Sequence, residues 1–117
     1  IPPMHELGIV FHVIKHVEQV GQAHGLSAVR RVTLELGEVS GVVGEYLTDC
    51  WKWAAAKSPL LQDAALEIET IPAVTFCQGC NQTYETVQYG RICPYCASED
   101  TYLLVGNEVN IKEIEAC

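Results

Sequence analysis

From Glu6 to about Ala23 the apolar residues Leu7, Val10, Phe11, Ile14, Val17 and Val20 recur every three or four positions, the period of one buried helical face. Gly25 suits the left-handed position just past a helix end, so the helix is predicted to stop there. His5, His12, His16 and Gln19 fall on the opposite, polar face. From Val29 to Leu36 the period drops to two. Val32, Leu34 and Leu36 share one side and Thr33 and Glu35 the other, which predicts a half-buried strand.

A glycine-bracketed loop, Gly37-Glu38-Val39-Ser40-Gly41, precedes a second predicted helix over 44–57. Its buried stripe is Leu47, Cys50, Trp51 and Ala54, and Pro59 ends it by forcing the preceding residue out of helical geometry. Alternation resumes at Leu66-Glu67-Ile68-Glu69 and breaks at Pro72. Residues 73–101 lose apolar periodicity and hold four cysteines. Beyond them, Tyr102–Val105 and Val109–Ile111 read as one strand bent or bulged at Gly106. The fold class expected is α+β, with two helices on a small mixed β-sheet. The cysteine-rich 73–101 segment is inserted between neighbouring strands as a zinc-ribbon-like domain with a four-cysteine site, so 4–72 and 102–117 form the main domain around it.

Composition narrows the function classes. The 117 residues are 49% hydrophobic and 19% charged, with a formal net charge of −8. That is too apolar for a disordered chain and too acidic for a backbone-gripping nucleic-acid binder, which needs clustered Lys and Arg. Arg30-Arg31 is the only adjacent basic pair. No apolar run approaches the ~18–20 residues of a membrane span, and no basic region precedes an apolar one as in a signal peptide. A cytoplasmic setting is therefore expected, and there paired cysteines read as metal ligands more readily than as disulfides.

The motif is Cys77-Gln78-Gly79-Cys80, twelve residues, then Cys93-Pro94-Tyr95-Cys96. Two residues between cysteines let both sulfurs of a tight turn reach one ion, and two such knuckles complete a tetrahedron. Four thiolates leave no open coordination position, so the site is expected to hold structural zinc; an iron-thiolate electron carrier is the competing reading. Zinc loading deepens the acidity, since four thiolates outweigh one divalent cation. Cys50 reads as a small buried residue, and Cys117 is exposed with no assigned role. No nucleophile constellation or phosphate-binding glycine loop points to an enzyme.

The histidines offer a second candidate chemistry. At about 100° per residue, His5, His12 and His16 lie within about 20° of one stripe. His12 and His16, four apart, read either as a solvated polar face or as a chelating pair for a borderline-soft divalent ion; His24 suits a helix C-terminus. Met4-His5-Glu6 has the form of a natural start, with Ile1-Pro2-Pro3 a tag remnant. A free Met4 amine, the amide and imidazole nitrogens of His5 and the amide of Glu6 form a planar nitrogen set suited to Ni(II) or Cu(II). Acylation by Pro3 weakens the amine, and Pro2 and Pro3 carry no amide hydrogen with which to rebuild the array.

Across residues 4–116 the chain resembles the HypA/HybF family of nickel metallochaperones for [NiFe] hydrogenase maturation. The resemblance rests on Met4-His5-Glu6-Leu7, Leu36-Gly37-Glu38, the set Cys77, Cys80, Cys93 and Cys96, and Gly106-Asn107-Glu108. It implies nickel as cargo, with His5 the essential ligand aided by backbone nitrogens of Met4 and its neighbours and by Glu6, and zinc on the four cysteines. The implied partners are the maturation GTPase HypB and the hydrogenase large subunit, with urease a recipient for some members. A zinc-ribbon interaction module without nickel transfer is the alternative, and a homodimer through an exposed β edge or Cys117 stays open.

Overall fold

The computed structural model describes residues 4–117, with side chains from His5 onward; the tag-remnant reading of residues 1–3 lies outside them. The elements run α1 (Met4–His24), β1 (Val29–Gly37), α2 (Gly44–Ala55), β2 (Ala65–Ile71), β3 (Val74–Cys77), β4 (Thr83–Glu85), α3 (Thr86–Tyr89), β5 (Thr101–Val105) and β6 (Val109–Ala116). The α+β class is as expected, but the strands form two three-stranded sheets, ordered β2-β1-β6 and β4-β3-β5. The segment read as one strand bent at Gly106 is instead β5 in one sheet and β6 in the other. Two compact units result: one takes in residues up to Glu35 with Val42–Glu69 and Asn110–Cys117, the other Leu36–Gly41 with Thr70–Val109.

In the first unit α1 packs on α2. Its apolar core includes Val10, Val13, Ile14 and Val17 from α1, Val29, Val32 and Leu34 from β1, Leu47, Cys50, Trp51, Ala54 and Ala55 from α2, and Leu61. The α1 stripe is turned from the expected one. Val13 is buried, whereas Phe11 is 48% exposed and lies 6.2 Å from the Trp53 ring, over which Lys57 Nζ sits at 3.5 Å. β1 is not half-buried, because Thr33 is buried beside Val32 and Leu34. α2 ends at Ala55, four residues before Pro59, with Ala56 its C-cap. The indole N–H of Trp51 donates to the Ala64 carbonyl at 3.0 Å, so a large ring is buried without stranding its donor.

Arg31, on the central strand β1, reaches both neighbours. Its Nε donates to Glu115 on β6 at 2.9 Å and its Nη1 to Glu67 on β2 at 3.4 Å. The hydrogen bond from Arg31 holds the Glu115 carboxyl below the usual carboxylate range. That pairing is complete at neutral pH and fades as the carboxylate protonates in acid.

In the second unit β3 pairs antiparallel with β4 and with β5. The segments Leu36-Gly37-Glu38 and Gly106-Asn107-Glu108 meet there. Gly37 N–H donates to the Glu108 carbonyl at 2.8 Å and Val39 N–H to the Gly106 carbonyl at 2.8 Å. Each carboxylate closes a backbone donor, Glu38 that of Ala73 at 2.9 Å and Glu108 that of Gly106 at 2.8 Å. Gly106 has φ +121, and a Cβ there would collide with the Ala73 backbone, so only glycine fits. These acidic residues hold main chain in place.

Candidate metal centre

The knuckles are built alike. In each, the N–H of the first cysteine donates to the carbonyl five residues on, Cys77 to Gln82 at 2.9 Å and Cys93 to Ser98 at 3.0 Å. The carbonyl of that cysteine accepts from the residue after the second cysteine, from Asn81 at 2.8 Å and Ala97 at 2.9 Å. This closure puts Asn81 at φ +59 and Ala97 at φ +62. Asparagine tolerates the left-handed region, but for alanine it costs about 1–2 kcal/mol. The Gln78 N–H, donating to the Asp100 carbonyl at 2.9 Å, ties the first knuckle to the chain entering β5. Gly79 sits against the second, where a Cβ would lie 3.1 Å from Ser98 Cβ.

The four Sγ atoms converge within 4.8 Å of one another. Cys77 and Cys96 are 3.6 Å apart, as are Cys80 and Cys93. A disulfide needs about 2.05 Å; the edge of a tetrahedron with Zn–S bonds of about 2.3 Å is about 3.8 Å. The donor set thus fits a closed four-thiolate zinc site, and none of the six cysteines is joined in a disulfide. Cys77 and Cys93 are buried, Cys80 partly so, and Cys96 is exposed. Burial and the neighbouring Cys93 push the Cys80 thiol up to about 12. At Cys93 burial opposes ionisation too, but the N–H groups of Cys96 and Tyr95 and the neighbouring thiols outweigh it and bring the thiol to about 7. Of Cys80, Cys93 and Cys96, Cys93 is the readiest thiolate.

The amino-terminal candidates lie on the first turn of α1. His5 is exposed, whereas Glu6 is 5% exposed. A helix leaves its first four N–H groups without intrahelical acceptors, and with α1 opening at Met4 those of His5 and Glu6 fall in that turn. The Glu6 carboxylate is engaged elsewhere: its Oε2 accepts from Val43 N–H at 3.1 Å. Val43 is the N-cap of α2 and has no side-chain cap of its own, so a carboxylate from α1 serves the start of α2, where negative charge is favoured. An apolar residue at an N-cap was the one sequence signal that the acceptor lies elsewhere. Glu6→Ala should lower stability by about 1–3 kcal/mol and Glu6→Gln, which keeps an acceptor, by less. Urea unfolding of the two variants checks this, and equal midpoints for Glu6→Ala and the parent chain would remove the cap.

Residues 4–116 match the family model described as hydrogenase/urease nickel incorporation, metallochaperone, hypA. The chain is 33% identical to the hydrogenase maturation factor HypA 1 of Bradyrhizobium diazoefficiens, over 96% of this chain and 98% of that protein. It is 30% identical to the maturation factor HybF of Klebsiella pneumoniae with the same coverage. Among solved structures, a solution structure of a HypA protein superimposes with TM-score 0.76 at 23% identity, covering 98% of both chains. That of the Ni metallochaperone HypA from Helicobacter pylori gives 0.73 at 20% identity, covering 95% of this chain and 96% of that one.

Proposed function

The chain belongs to the HypA family of nickel-incorporation metallochaperones, maturation factors rather than enzymes, and from that premise we propose that it carries Ni(II) at Met4-His5-Glu6. In this reading His5 supplies its imidazole, and main-chain nitrogens of the first helical turn, each releasing its amide proton to solvent as nickel binds, complete a planar donor set of the kind Ni(II) favours. Glu6 contributes through its main-chain nitrogen while its carboxylate stays on Val43 N–H. Cys77, Cys80, Cys93 and Cys96 hold structural zinc in the inserted segment 73–101, which belongs to the second compact unit together with Leu36–Gly41 and the chain on to Val109, and the first unit carries the nickel site.

The recipient is the large subunit of a [NiFe] hydrogenase, reached with the maturation GTPase HypB, and urease is the alternative recipient. The setting is the cytoplasm, where thiols stay reduced. The observation that carries the nickel reading is the exposed His5 on a helical turn whose N–H groups are not spent on the helix. A carrier must release its cargo, and a solvent-facing site permits that.

Nickel titration of a chain whose first residue is Met4, beside the chain bearing Ile1-Pro2-Pro3, tests the ligand set. Tight binding is expected in the first and weaker binding in the second, because acylation removes the amine. Equal affinities would exclude the Met4 amine as a ligand.

A further inference from the structure

The His12 and His16 side chains are exposed on α1, and neither makes a hydrogen bond, ion pair or ring contact among the described residues. α1 runs without interruption from Met4 to His24. Residues four apart on such a helix stand one above the other with Cβ atoms about 5–6 Å apart, so two imidazoles can close on one ion at the usual ~2.0–2.1 Å. No carboxylate lies between them in sequence. Their neighbours on the outer face of α1 are Lys15 and Gln19, neither of them a carboxylate that would pair with the rings.

The path toward the terminus is also bare. Gly8 lies one turn after Met4 and one turn before His12, and a Cβ built on it meets nothing within 4 Å. A mid-helix glycine costs about 1 kcal/mol relative to alanine, and here no packing contact accounts for it. What it leaves is open surface between His5 and His12, which are separated by about 10 Å along the axis. That is too far for one ion to bridge and close enough for two ions to sit on one stripe.

We propose that His12 and His16 form a second, weaker divalent-cation site, a loading position for the borderline-soft cargo ion that His5 holds more tightly. The choice of nickel rests on the function proposed above; the imidazole pair itself does not, since Zn(II) and Cu(II) share the ligand preference.

The test is nickel chloride titrated alone into the zinc-loaded chain that begins at Met4, followed by equilibrium dialysis and by the histidine ring resonances. Two equivalents are expected, the second at least tenfold weaker, with the His12 and His16 rings shifting or broadening as it binds. His12→Ala/His16→Ala should lose that equivalent and keep the tight one; alanine is the better helix former, so α1 is retained, as circular dichroism will show. In His5→Ala the His12 and His16 responses should persist. Retention of both equivalents in the double variant, or unmoved His12 and His16 rings at saturation, overturns the proposal. If the tight equivalent survives in His5→Ala while the His12 and His16 rings respond, the terminal site fails and the pair stands.

Discussion

Stripping the metal with excess chelator, or replacing Cys93 by serine, is expected to unfold the second unit and leave α1 and α2 folded. The buried cluster at the metal centre is Cys77, Tyr84 and Cys93, with Cys80 packed on it. The strands around it are four, three and five residues long, too short to hold a sheet without a staple. Zinc held by a site of this type contributes on the order of 10–16 kcal/mol of apparent binding free energy, more than most small domains have in total stability. Amide exchange is the appropriate readout: protection should vanish from β3, β4 and β5 while the α1 and α2 amides stay slow. Cys117→Ser, at an exposed thiol outside the cluster, should change nothing. Full protection of β3 to β5 in the metal-free chain would show that zinc is not structural.

In a chain that begins at Met4, His5→Ala is expected to abolish stoichiometric tight nickel binding. Outer groups that merely orient a metal ligand are each worth about 10–100-fold in affinity, so loss of a direct imidazole donor should exceed the upper end of that range. His5 is exposed and its replacement favours the helix, so a fall in affinity cannot be ascribed to unfolding. Calorimetric titration with the zinc site loaded measures it, and unchanged tight affinity would sink the assignment of His5.

What could be read from sequence was local. The three-to-four period of α1 and the buried stripe of α2 follow from neighbours a turn apart, and the two cysteine pairs declare a tetrahedral site by residue type and spacing. What could not be read depends on partners far along the chain. Phe11 has the hydrophobicity of a core residue, but packing of α1 on α2 turns it outward against Trp53. Tyr102–Val105 and Val109–Ile111 alternate alike, and nothing in either says that they join different sheets. Glu6 looks like a donor beside His5, yet its carboxylate is drawn 37 positions away to the N-cap of α2. The knuckle closures at Asn81 and Ala97 were equally hidden, because alanine gives no hint of a left-handed backbone.

Of the residues in the buried cluster around Tyr84, the others are all cysteines. An ordinary core drifts over generations, one side chain growing as its neighbour shrinks, because total volume and apolar character are what selection holds fixed. Here that exchange is closed, since a position required for coordination accepts no other apolar residue. The cysteines of this cluster are therefore fixed by coordination and not by volume, a constraint that the exposed Val87, Ile92 and Tyr95 of the same unit do not carry.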